Sequence, residues 1–503
     1  MMTAPTLIYG GQIWTGDGGQ PVAAGLLVAD GRVAGIVPPE ETTAARGRAE
    51  EAFDATGMLI TPPLFDGHVH STATLFRGTE NSFPLELWSY YAINYGRGFT
   101  ERCLRAAVRL TAVEMIRNGI GGYVDHFPQA RFAAAALGAH QATGLRIGFA
   151  PFFADLMDED ILGIPLDPEA MRRLAPLGPR DPATIGEMFV DLHHRIGDQG
   201  TGRVALLLGP NAPQRCSDAL WTLWRDLRSR LDIGSHTHLL ETLPQAHHAR
   251  ARWAGGLVAA LEQAGLLDGR SSIAHAVWLG DDELECLARH GVTVSHNPIS
   301  NLMLGSGRFD VRAALDAGVT LALGTDSSNT GGRHDLFEVM RHMLTAGRAP
   351  GSDYGRWIKP IEAMRAATMG GARAIEPSCG RIAVGMPADL LAVDFRGGSL
   401  AAAPVSIDSL VVHGDASAVK ALMIGGAWLL RHGRIEAFDE AEALDEAAAC
   451  AAELRAAAGE AARDLIRLHP AYRRWQDAAF GGHSCPACGG PAWNGIATKR
   501  TAS

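Results

Sequence analysis

Between residues 62 and 377 strand-like apolar runs alternate with helix-like ones. Eight runs read as strands: MLITPPLFDGHVH, GGYVDHF, RIGFAPFF, RVALLLGP, DIGSHTHLL, SSIAHAVW, VTVSHNP and VTLALGTD. Helical segments such as ERCLRAAVRLTAVEMIRNG, DALWTLWRDLRSR, DDELECLARHG and VRAALDAG lie between them. Near-continuous apolar strands alternating with helices predict a parallel sheet covered by helices. Eight such units predict an α/β fold, a closed (β/α)8 TIM barrel with its site at the C-terminal strand ends. The ends of the chain read differently. TLIYGGQIWT, AGLLVADGRVAGIV and EAFDATGMLI alternate apolar with small or polar residues around Gly-Gly and Asp-Gly turns. A matching strand pattern returns in GMPADLLAVD, SLVVHG and VKALMIGGAWLLRHGRI. Residues 1–61 plus 378–437 are therefore expected to form one small β-sandwich domain, with the barrel, 62–377, inserted. Residues 438–480 predict a helical extension to which no function attaches, and 481–503 a Gly-rich tail. The Asp- and Pro-rich connection at 154–186 is a candidate lid or specificity loop.

Composition narrows the function classes. The chain has 503 residues, 47% hydrophobic and 20% charged, which excludes wholesale disorder. A net charge of −10 argues against nucleic acid or an anionic membrane surface as partner. No apolar run approaches the ~18 residues of a membrane span, and the first residues carry no basic and apolar leader. Seven scattered cysteines in a chain this long need no disulfide framework, so the expectation is a reduced, cytoplasmic protein.

The histidines carry the chemistry. His68 and His70 flank Val69, and residues two apart on a strand share a face, so both imidazoles are expected at the barrel mouth. His238 ends the fifth strand, His275 lies in the sixth and Asp326 ends the eighth. Three imidazoles and a carboxylate suit one borderline divalent cation, zinc or alternatively iron, with an open position for water. Glu241, three residues after His238, is placed for general acid–base work at such a centre.

The strings DGHVH, HLLET, IAHAVWL, VSHNPISNLMLGSG and LALGTDSS, in this order, resemble the amidohydrolase superfamily. The likeness is to its metal-dependent aminohydrolase and chlorohydrolase branch, which includes S-adenosylhomocysteine and methylthioadenosine deaminases, guanine and cytosine deaminases and triazine hydrolases. It covers residues 5 to 437. The resemblance implies that His68, His70, His238 and Asp326 hold the metal. Asp326 would also take a proton from the bound water. Glu241 would protonate the ring nitrogen beside the reacting carbon, and His275 would orient the water and steady the developing oxyanion. It implies a hydrolase of carbon–nitrogen bonds, most simply a deaminase of an aminated N-heterocycle, and a homodimer. The same site on another leaving group (chloride, alkylamine, methylthio) or on a ring amide is the alternative, and a non-catalytic binding protein a more distant one. Two-metal members bridge their ions with a carboxylated lysine on the fourth strand. The chain's lysines are Lys359, Lys420 and Lys499, none between His70 and His238, so a single metal is expected.

Candidate substrate contacts lie in the neighbouring segments. FRGTENSFPLELWSYYAINY resembles the branch's stretch after the first strand, where Trp88, with Glu80, Tyr90 and Tyr91, can stack on a ring. GPNAPQRCSD has Asn211 where the nucleoside deaminases have a ribose-contacting His, which favours free bases and triazines. His236, His296 and Asn301 are further substrate candidates, with Asn297 and His126 beside them. His483, Cys485 and Cys488 offer half of a structural zinc site that Cys450 or Cys379 could complete.

Overall fold

In the computed structural model, which describes residues 5–166, 169, 178–198, 202–348 and 351–480, the Pro62–Pro63 pair divides the first predicted strand. Met58–Thr61 joins an outer sheet, and Leu64–Val69 (β1) enters a closed barrel. Seven more strands complete the barrel: Ile120–Phe127 (β2), Arg146–Phe153 (β3), Val204–Pro210 (β4), Gly234–Leu239 (β5), Ser271–His275 (β6), Thr293–His296 (β7) and Thr320–Leu323 (β8). All neighbours pair in parallel, and β8 closes on β1 through Leu323 and Asp66. Closure needs β1 and β8 to approach tightly. A Cβ on Gly67 would lie 2.7 Å from the Ala322 Cβ, and one on Gly324 2.2 Å from Asn297 Oδ1. Glycine at both positions lets the strand ends that carry the site converge.

Outside the barrel, a seven-stranded sheet joins both ends of the chain: Leu390–Asp394 pairs antiparallel with Met58–Thr61, which pairs with Gln12–Ile13. A four-stranded sheet from residues 6–54 lies beside it in sequence. One predicted strand is wrong. SLVVHG belongs to an α-helix, Ile407–His413, because the Ser406 hydroxyl caps it by accepting from the Ser409 N–H. The apolar run is short enough to serve either period, and the cap decides it.

Four helices bear on the site: Leu85–Gly96 (α1), Asp158–Leu162 (α2), Glu440–Leu465 (α3) and His469–Phe480 (α4). The last two are the expected extension. They pack on α1 and α2 in a cluster that includes Tyr90, Tyr91, Ile164, Leu468 and Tyr472. Trp475 donates to the Leu162 carbonyl at 3.1 Å, and Tyr91 Oη lies 2.8 Å from His469 Nε2. Cys450 and Cys379 are both buried. The rest of the candidate structural zinc set, His483, Cys485 and Cys488, lies outside the described residues, as do 167, 168 and 170–177 of the 154–186 connection. Among the described residues no helix is long and apolar enough to cross a membrane.

Candidate metal centre and active site

At the C-terminal barrel mouth the predicted side chains meet. His68 Nε2 stands 3.5 Å and His70 Nε2 3.4 Å from Asp326 Oδ1, and His238 Nε2 stands 3.3 Å from His70 Nε2. The partners of the other ring nitrogens fix the protons. His70 Nδ1 meets the His126 carbonyl at 2.5 Å and His238 Nδ1 the Asn211 carbonyl at 2.6 Å. A carbonyl only accepts, so both Nδ1 atoms carry hydrogen and both Nε2 atoms present lone pairs when the rings are neutral. Two lone pairs 3.3 Å apart repel unless a cation sits between them. His68 Nε2 is buried without a hydrogen-bond partner, while its Nδ1 pairs with His236 Nε2 at 2.7 Å and His236 Nδ1 with Ser272 Oγ at 2.9 Å. Burial pushes His68 down to about 4, so it is neutral at pH 7. The donor set therefore fits one divalent cation.

Asp326 is held as a carboxylate. Burial alone would raise its pKa, but the His68, His275 and His70 rings gathered around it keep it well below the usual range. The Ser300 hydroxyl donates to its Oδ2 and the Ser327 N–H to its Oδ1, both at 2.6 Å. His275 and Asp326 both take left-handed backbone angles, φ 74° and 61°. Side chains other than glycine seldom adopt these, and such strain concentrates at functional sites.

Glu241 and His275 form the second half of the site. His275 Nε2 lies 3.5 Å from Glu241 Oε2 and 3.9 Å from Asp326 Oδ2. Asn301 Oδ1 lies 2.8 Å and Asn297 Nδ2 3.3 Å from His275 Nδ1; the shorter contact makes Nδ1 the donor to Asn301 and leaves Nε2 as an acceptor facing the carboxylates. Burial pushes the Glu241 carboxyl up to about 7, opposed by the nearby His275. Ser306 donates to its Oε1 at 3.2 Å.

A cavity of about 210 Å³ opens over these groups. Trp88 and Asn211 line it, as do Tyr90 and Phe152. His236, His296 and Asn301 do not. His236 lies behind His68, Asn301 holds His275, and His296 is buried with its ring 5.5 Å from Phe309. The geometry gives these three no contact with a substrate in the cavity. His126 is also buried, and its part in the site is its carbonyl on His70. Asn211 Oδ1 accepts from Arg215 Nη1. Tyr91 faces His469 and Glu80 accepts from Tyr95, so neither lines the cavity.

The amidohydrolase family pattern matches residues 59–429. The chain belongs to the amidohydrolase family. It is 29% identical over 431 residues to the 5'-deoxyadenosine deaminase of Methanosarcina barkeri, covering 85% of this chain and 93% of that one. The solved adenosine deaminase of Xanthomonas campestris, with bound zinc, superposes with a TM-score of 0.79 at 23% identity, over 90% of this chain and 98% of that one. The zinc complex of atrazine chlorohydrolase from Arthrobacter aurescens gives 0.78 at 21% identity, over 89% of this chain and all, 100%, of that one. This amidohydrolase is a hydrolase acting on carbon–nitrogen bonds.

Several residues of the site escape a reading for metal donors. Asp66 clamps β1 to β8, accepting from the Thr325 N–H at 3.1 Å and the Thr325 hydroxyl at 2.6 Å. Its signal was available, since it precedes His68 by two on the same strand face. Ser300 and Ser306 lie inside the VSHNPISNLMLGSG string, but a serine that donates one hydrogen bond leaves no pattern in a sequence. Glu86, which accepts from Thr242 at 2.6 Å and Tyr472 at 3.0 Å, could not be paired with a residue 386 positions away.

Proposed function

We propose that this amidohydrolase deaminates a small aminated N-heterocycle, exchanging a ring C–NH2 for C=O with release of ammonia, at one zinc ion held by His68, His70, His238 and Asp326. The observation that carries the reading is the pair of facing Nε2 lone pairs on His70 and His238, 3.3 Å apart, beside the unpartnered Nε2 of His68. A divalent cation bound there supplies Lewis acidity and brings water's pKa toward neutrality. The chain's own groups handle the protons. Asp326, held ionised, takes one from the attacking water. His275 Nε2, fixed as an acceptor by Asn301, hydrogen-bonds that water and aims its oxygen at the ring carbon. Glu241, with its carboxyl near 7, gives a proton to the neighbouring ring nitrogen, which spares the ring a developing negative charge. Asp326 then passes its proton to the amino nitrogen, which leaves as ammonia, while the hydroxyl proton on the reacting carbon returns to Glu241 as the C=O forms.

The engaged side chain of Asn211 favours a free base or triazine over a nucleoside. The family's ribose-contacting histidine is replaced, and Arg215 already occupies the amide oxygen. A homodimer goes with this reading through the family resemblance, and light scattering checks it. The deciding experiment incubates the zinc-loaded enzyme with adenine, guanine, cytosine, melamine, adenosine and chlorotriazines, scoring ammonia against chloride. Ammonia from a free base or from melamine is expected. Chloride release alone, or no turnover of any amino compound, overturns the deaminase reading.

A further inference from the structure

Away from the metal donors the cavity wall is acidic. Asp158 and Glu159 stand at the start of α2 and both line the cavity. Arg215 is the one Arg or Lys among the described lining residues, and each of its three nitrogens already donates to a neighbour. Its Nε donates to Asp158 Oδ1 at 2.7 Å, its Nη2 to Asp158 Oδ2 and its Nη1 to Asn211 Oδ1. Glu86, behind that wall, is engaged by Thr242 and Tyr472. Glu159 differs. It is only 5% exposed, its Oε2 accepts a long 3.4 Å bond from Tyr90 Oη, and its buried Oε1 has no partner. Asn329 Oδ1, also on the lining, is a second acceptor without a partner, against one unpartnered donor, Trp88 Nε1. Buried acceptors are almost always satisfied in folded proteins, so these await donors from the occupant.

We infer that Glu159 is a specificity residue, and that the substrate of the deaminase proposed above carries a cationic nitrogen group, a protonated amine or an amidinium, on the part of the ring away from the reacting carbon. Such a group brings N–H donors to Glu159 Oε1 and offsets a carboxylate that no cation of the described lining pairs. A carboxylate or phosphate in its place would meet Glu159 and Asp158 with no free cation to receive it.

The test uses the full-length zinc-loaded protein and three probes built on one 6-aminopurine ring, with N9 arms of equal length ending in ammonium, methyl or carboxylate. Affinity is measured by calorimetry and ammonia release separately. The ammonium arm is expected to bind about tenfold or more tighter than the methyl arm, as a hydrogen bond to a charged group implies, and the carboxylate arm to bind weakest. In Glu159→Gln the ammonium-to-methyl ratio should fall towards one, with circular dichroism confirming the fold. Equal affinity for the three arms in the wild-type protein, or a preference that survives Glu159→Gln, overturns the inference. The two readings separate cleanly. Ammonia release without an arm preference, or failure of all three probes to bind, sinks only this one, whereas deamination stands or falls on the panel of free bases and triazines.

Discussion

In the proposed reaction Glu241 is the residue on which proton delivery turns. The form that donates is the protonated one, and burial pushes its carboxyl up to about 7. Activity that depends on it therefore declines as pH rises through that value. In Glu241→Gln, kcat should drop by about 10²–10⁴, the usual yield of a positioned acid, and the falling limb near neutrality should vanish from the pH–rate profile. A Gln variant that keeps the limb would assign the titration to another group. Asn301 acts one step further out, by holding His275 Nδ1 at 2.8 Å. Asn301→Ala should cost about 10–100-fold in kcat, as loss of a group orienting a site histidine commonly does, with metal content unchanged. Steady-state kinetics beside metal analysis checks this, and loss of the metal would show that Asn301 supports the ligands instead. At this scale the donor chemistry was legible because it needs particular side chains at strand ends. Ser300, Ser306 and Glu159 were not, because one hydrogen bond or one unmet acceptor depends on a partner brought near only by the fold.

Among the elements, the C-terminal helices α3 and α4 pack on α1 and α2 beside the site. The family match stops at 429, yet Tyr472 on α4 reaches Glu86 on α1, which in turn holds Thr242 beside Glu241. Trp475 on the same helix ties down α2, the helix that carries Asp158 and Glu159. The extension is thus joined by hydrogen bonds both to the segment that carries Glu241 and to the helix that carries Glu159. Tyr472→Phe removes a donor from a fully buried carboxylate and should destabilise the protein by about 1–3 kcal/mol in denaturant melts. It should also lower kcat, whereas Tyr354→Phe, at a site 81% exposed, should change neither. Equal behaviour of the two variants would detach α4 from the active site. The helical period of 438–468 is plain in the sequence, but its destination is not, since an amphipathic helix does not name the surface it covers. SLVVHG failed for a related reason: four apolar or small residues fit either period until the Ser406 cap is seen.

For the molecule as a whole, the barrel was readable because eight apolar strands and their helices repeat one pattern, and closure followed from the count. The outer sheet was readable because like strand patterns return at both ends of the chain. What brings these parts to a functional point is the convergence of β1, β5 and β8, which no local pattern encodes. Gly67 and Gly324 permit it and the Asp66–Thr325 clamp fixes it. The central claim is that His68, His70, His238 and Asp326 together hold a single divalent cation. Metal content per chain by inductively coupled plasma mass spectrometry tests it most directly, on the wild-type protein and on His238→Ala after dialysis, with the fold verified by circular dichroism. About one zinc per chain is expected in the first and little in the second. A folded His238→Ala protein that retains its full metal would contradict it.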